Sequence, residues 1–148
     1  MKTVHRSVLI WYSPEEMFAL VTDVAKYPEF LPWCDHASVL AQEPAGMKAE
    51  IGISIAGIRQ TFTTRNTHLA GREVRMKLVD GPFSNLDGCW KFHPLGQGKQ
   101  RACKVTLEMH YAFKSSALAA VVGPVFDKIA GNLVDAFVKR AEQVYAPA

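Results

Sequence analysis

Residues 117–141 read ALAAVVGPVFDKIAGNLVDAFVKRA. Within them Leu118, Val121, Val122, Val125, Phe126, Ile129, Leu133 and Phe137 recur every three or four residues. Val134, Val138 and Ala141 join them, giving the broad apolar stripe of a long α-helix. Pro124 interrupts the pattern. A proline inside a helix costs about 3 kcal/mol, so it either kinks this one or marks its true start. So wide a stripe needs a large apolar partner surface, and the residues before it supply one.

From about Ser38 to Phe113 the apolar period is two. Glu43-Pro44-Ala45-Gly46 turns the chain, and Ala49, Ile51, Ile53 and Ile55 then alternate with small or polar residues. Gly57, Ala70-Gly71, Asp80-Gly81-Pro82 and Pro94-Leu95-Gly96-Gln97-Gly98 punctuate the remaining runs. Those runs carry Phe62, then Val74, Met76 and Leu78, then Leu86, Trp90 and Phe92, then Cys103, Val105, Leu107, Met109 and Tyr111. Short links and one-sided alternation predict an antiparallel sheet with one face buried. Upstream, Lys2 to Tyr12 alternates as a further strand. Ser13-Pro14-Glu15-Glu16 is a capping box with proline at the first helical position, opening a short helix on Met17, Leu20 and Val21 that Pro28 and Pro32 bring to an end. The expected architecture is α+β: one domain over residues 1–148 in which a curved antiparallel sheet wraps around a long C-terminal helix.

The chain has 148 residues, 49% hydrophobic and 21% charged, a balance that suits one globular core and argues against disorder. The net charge of +3 is too weak to imply nucleic acid by itself, and no DNA partner is expected. Three cysteines, Cys34, Cys89 and Cys103, show no CxxC spacing, so neither a disulfide framework nor a zinc site is expected. The longest apolar run, Ala117 to Phe126, is about half of the ~20 residues that span a bilayer. A soluble, cytoplasmic protein is the expectation.

Catalytic signals are sparse. Cys34, Asp35 and His36 are adjacent, which seldom aligns side chains for proton transfer. His5, His68, His93 and His110 fall singly on strands at no metal-ligand spacing, and no phosphate loop or nucleophile elbow is present. The protein is expected to bind rather than catalyse, with no metal and no cofactor. Three features bear on what it binds. Tyr27-Pro28-Glu29-Phe30-Leu31-Pro32-Trp33-Cys34 is a loop by its prolines yet rich in aromatics, fitting either a lid or a segment pinned to the core. Phe62, Met76, Leu78, Trp90, Leu107 and Met109 face the concave side of the sheet, opposite Val122, Phe126, Ile129 and Leu133, and enclose either a filled core or a lipophilic pocket. Gln60, Thr64 and Asn66 share the parity of Phe62, and inward polar groups need partners. On the opposite parity Arg59, Arg65, Arg75, Lys77, Lys91 and Lys104 form a basic outer patch, with only Glu73 and Glu108 against it. That patch fits a phosphate-bearing partner or a solvated sheet face.

Residues 27–34, together with Gly81-Pro82-Phe83, Leu86, Gly88, Trp90 and Phe92, resemble the coenzyme-Q-binding branch of the START-like, polyketide-cyclase-type family. Gly123-Pro124-Val125-Phe126 and Val134-Asp135-Ala136-Phe137-Val138-Lys139-Arg140-Ala141 resemble it too, so the likeness runs from about Val8 to Tyr145. The resemblance implies a helix-grip fold. It also implies a lipophilic ligand such as ubiquinone in the cavity, in support of respiration, with transient contact at a membrane. Tyr27, Pro28, Phe30, Leu31 and Trp33 would sit at the cavity mouth, and Val122, Phe126 and Ile129 would line it. Phe62, Met76, Trp90 and Met109 complete the candidate ligand site. Bacterial members are named as ribosome-association toxins. That implies the alternative partner, the large ribosomal subunit, bound so as to block subunit joining. A cyclase- or dehydratase-type enzyme would rest on fold analogy alone.

Overall fold

The structure is a computed structural model that describes residues 1–55, 57–96 and 101–145. Alternation from Lys2 to Ile10 forms β1, and the Ser13 box then starts α1, Pro14–Thr22. The Ser13 hydroxyl accepts from the Glu16 backbone at 3.1 Å, and the Glu16 carboxylate accepts from the Ser13 backbone at 2.9 Å. Five two-residue-period runs become β2 (Cys34–Glu43), β3 (Gly46–Ile55), β4 (Ile58–Leu69), β5 (Glu73–Asp80) and β6 (Phe83–Pro94). They are followed by β7, Cys103–Phe113, and α2, Ser116–Tyr145. All neighbours pair antiparallel in one seven-stranded sheet of order β1-β7-β6-β5-β4-β3-β2. The α+β helix-grip architecture is thus present: the sheet curls around α2.

Three expectations need correction. First, α2 runs unbroken from Ser116 through Pro124, so the proline does not mark its start. At 30 residues it is also long and apolar enough, by length and composition, to cross a membrane, although Ala117–Phe126 alone is too short. Here Val122, Phe126, Ile129, Val134 and Phe137 are spent on the core, while Val121 is 58% exposed. Second, the stretch from Tyr27 is not all loop. Val24–Glu29 winds into a 3-10 helix that contains Pro28, and the Tyr27 carbonyl accepts from the backbones of Phe30 and Leu31. Third, β2 begins at Cys34, ahead of Ser38. Its bulges at Cys34/His36 and Val39/Ala41 break the alternation that would have revealed it. The loop expected over Pro94–Gly98 falls partly outside the described residues.

The two halves of the sheet meet α2 differently. The backbone of α2 runs close to β1 and β7, and a large core of Trp90, Phe92, Leu107, Tyr111, Phe126 and Phe137 fills that side. A smaller core of Val24, Leu31, Cys34, Met47, Ala49 and Ile51 sits under the Val24–Cys34 segment. The cavity described below lies at the seam between these two cores.

One end of the grip is tied by Arg101. Its guanidinium donates to both Glu16 carboxylate oxygens at 2.7 and 2.6 Å and lies over the Tyr12 ring, while the Tyr145 hydroxyl donates to the Glu16 carbonyl at 2.8 Å. The Arg101 hydrogen bonds hold the Glu16 carboxyl down at about 2. A carboxyl that is more acidic folded than unfolded adds stability above its unfolded pKa of about 4.3 and loses it as pH falls toward the folded value. Denaturant titrations should therefore show the parent losing about 1–2 kcal/mol between roughly pH 5 and pH 2, allowing for solvent at this partly exposed pair. Glu16→Gln should flatten that slope. An unchanged slope would remove Glu16 as its source.

Candidate functional site

Between α2 and the inner face of the sheet lies a cavity of about 80 Å³. Each wall follows from local sequence. Period-two alternation on β3 to β7 turns Ala49, Ile51, Phe62, Met76, Trp90 and Met109 inward. The three-to-four spacing of α2 turns Phe126, Ile129, Ala130, Leu133 and Phe137 toward them, and the 3-10 segment adds Val24 and Tyr27, with Trp33 beyond. Gly88 forms part of the floor because a Cβ there would stand 2.8 Å from Met76 Cε and 3.3 Å from Met109 Cγ.

Of the residues singled out from sequence, Tyr27, Trp33, Phe62, Met76, Trp90, Met109, Phe126 and Ile129 line this cavity. Six do not. Leu31 is fully buried in the smaller core, Val122 is buried elsewhere along α2, and Phe30 packs edge-on against Tyr27 and Phe137 beneath the Arg140 guanidinium. Pro28 is exposed, Leu107 is buried in the larger core, and Leu78 packs against it. The aromatic segment at 27–34 is accordingly pinned to the core and also forms part of the wall. Sequence reasoning did not place Val24, Ala49, Ile51, Leu86, Gly88, Ala130 or Phe137 on this wall. Of these, Ala49, Gly88 and Ala130 are small and carry little apolar signal, yet small side chains leave space open.

The wall has little polarity. The Tyr27 hydroxyl donates to the Val21 carbonyl, and burial pushes its pKa far above the ordinary value. The Thr64 hydroxyl donates to Asn66 Oδ1 at 2.7 Å, and both side chains line the cavity. Gln60 does not reach it. The Cys34, Asp35 and His36 side chains do not assemble a nucleophile. Cys34 donates to the His36 carbonyl at 3.3 Å, while the His36 ring faces Asp35 and Glu50. Burial raises the Cys34 thiol to about 11, which keeps it protonated. Among the described residues no three His, Cys, Asp or Glu side chains converge to hold a metal ion.

The outer face carries the basic patch, but less freely than its composition suggested. Arg59 pairs with Asp35 at 2.9 Å, Arg65 with Glu43 at 3.0 Å and Arg75 with Glu73 at 2.9 Å. Lys77, Lys91 and Lys104 make no ion pair among the described residues, and with Arg65 and Arg75 they line a shallow open depression that Arg59 does not reach. Register adds a residue that parity did not reveal. His110, Asp87, Lys77, Arg65 and Lys48 lie directly opposite one another across five strands, placing three cations side by side.

A long helix gripped by a curled antiparallel sheet, with an apolar cavity between them, defines a ligand-binding class of fold. Comparison with known proteins narrows it. The family described as "Polyketide cyclase / dehydrase and lipid transport" matches residues 10–138, and the chain belongs to that family. A protein named "Ribosome association toxin RatA" from Vibrio cholerae is 48% identical over 145 residues, 98% of this chain and 99% of that protein. "Coenzyme Q-binding protein COQ10 homolog B, mitochondrial" from Xenopus laevis is 27% identical over 94% of this chain and 57% of its own length. Among solved structures, a START superfamily protein from Mycobacterium smegmatis superposes with a TM-score of 0.80 at 21% identity, covering 96% of this chain and 98% of the other. That last likeness concerns the fold alone.

Proposed function

We propose that this protein binds and carries a lipophilic, quinone-like molecule in the cavity between α2 and the sheet, without transforming it. The observation behind this reading is the cavity wall, apolar except for Tyr27, Thr64, Asn66 and two indoles. Nothing on that wall is poised to move a proton, since its one ionisable group, Tyr27, is buried and already bonded. Binding would draw on apolar burial, at about 25 cal/mol per Å². A void of about 80 Å³ is smaller than the roughly 150 Å³ that admits benzene in an engineered core, so uptake requires the wall to part. The partly exposed Trp33, Phe62, Met76 and Leu133 are the side chains placed to do so. In this reading the protein is cytoplasmic and touches a membrane only to collect or release its ligand.

A second reading, association with the large ribosomal subunit, is favoured by the adjacent cations of Lys77, Arg65 and Lys48 and by the full-length similarity to proteins named as ribosome association toxins. Such contact would weaken steeply with salt as neutralised phosphates release counterions. One experiment addresses both readings. Native mass spectrometry of protein purified from its own cells, followed by solvent extraction, should reveal a stoichiometric isoprenoid quinone or other lipid. Empty protein that refuses added quinone, yet sediments with large subunits at low salt, would reverse the order of the two.

A further inference from the structure

The solvent-facing stripe of α2 changes character partway along the helix. Exposed residues follow one another there every three or four positions, and so share one face. The later part of the stripe reads Lys128, Asn132, Asp135, Lys139 and Glu142, the polar face that water requires. The earlier part reads Ala117, Val121 and Pro124, with Ala120 beside them and all four exposed. Nothing from Ser115 to Phe126 carries a charge, and Val121 is 58% exposed. The apolar stretch borders an open depression against the end of β7, whose wall includes Phe113, Ala119, Gly123 and Pro124. From this contrast within one helix we infer that the N-terminal part of α2 docks on the surface of an anionic lipid bilayer. The inference gives the membrane contact of the carrier reading a place on the molecule, and it rests on that reading for its purpose.

Side-chain chemistry favours lipid over a protein partner. The centre of a protein interface is built on aromatic, Met and Arg anchors and is poor in alanine. This stripe offers alanines, a valine and a proline, which give apolar area without direction, and a bilayer asks for no more. Charge points the same way. Lys114 and Lys128 bracket the stretch, both exposed and without an ion pair among the described residues. The adjoining carboxylate, Asp127, is taken by Lys2 at 3.2 Å and accepts from the Tyr111 hydroxyl. Anionic headgroups complement such a rim. From residue 117 to 128 the helix covers about 18 Å, too short to span a bilayer and enough to lie in its surface. Side chains this small bury little area, so the contact is weak and reversible, as a carrier that must leave again requires.

Flotation of the full chain with two kinds of vesicle tests this: phosphatidylcholine alone, and phosphatidylcholine mixed with phosphatidylglycerol. The mixed vesicles should bind about tenfold more protein. Val121→Glu, at an exposed position and with a good helix former, should lower that binding about tenfold. Gln143→Glu adds the same charge at an exposed position near the far end of α2 and should leave binding unchanged. Absence of binding to the mixed vesicles, or equal losses from the two variants, overturns the inference. A parent dimer that Val121→Glu separates, with no vesicle binding, assigns the stripe to a second copy and also overturns it. Uptake of duroquinone from solution, measured on the same samples, keeps the two readings apart. Uptake without vesicle binding overturns the docking surface and leaves the carrier reading standing, whereas vesicle binding without uptake upholds the surface and overturns the carrier.

Discussion

Ala130→Leu should abolish uptake of a lipophilic ligand, weakening it at least about a hundredfold, while the protein melts no lower than the parent. Ala130 is 1% exposed, lies on the face of α2 turned to the sheet, and lines the cavity. Leucine is a good helix former, so the backbone loses nothing. Its added carbons enter a void of about 80 Å³, where they replace empty space rather than well-packed neighbours. Filling such a void adds dispersion contacts and removes the ligand's place at once. The measurements are equilibrium binding of a hydrophobic probe and thermal unfolding, made on the same sample. Unaltered uptake by a folded Ala130→Leu protein would place the ligand elsewhere.

Phe126→Ala should cost about 3–5 kcal/mol and lower the melting temperature by about 10 °C or more. The Phe126 ring is 2% exposed, and its centroid lies 4.7 Å from Tyr111, 5.0 Å from Phe83, 6.2 Å from Phe113 and 6.4 Å from Phe62. These approaches are edge-to-face or tilted, the geometry in which aromatic pairs gain beyond area burial. Only Phe62 and Phe126 of this set line the cavity, so the substitution mainly empties a filled core rather than enlarging the ligand site. Phe126 is consequently a poor probe of binding: losing it reads out folding first. A loss below about 1 kcal/mol by urea denaturation would show that the cluster repacks around the gap.

Sequence alone determined the elements that rest on local rules. The Ser13 box started α1 because cap and proline act within one turn. Period two over β4 to β7 and period three-to-four over α2 placed six candidate ligand residues, Phe62, Met76, Trp90, Met109, Phe126 and Ile129, on the cavity wall, since periodicity says which way a side chain points. It did not say what each side chain meets. Leu31, Phe30 and Val122 point inward as expected, yet they pack into solid core on either side of the opening. The bulges of β2 hid its start, and the continuity of α2 through Pro124 was a matter of tertiary support outweighing a local penalty. Parity likewise put Arg65 and Lys77 on the outer face, but only strand pairing set Lys48 beside them, and only the fold brought Glu43 to Arg65 and Asp35 to Arg59. What tertiary structure decided was the stand-off of α2 from one half of the sheet. Small residues far apart in sequence, Ala49, Gly88 and Ala130, line that gap together, and no local pattern records which of them will share one wall.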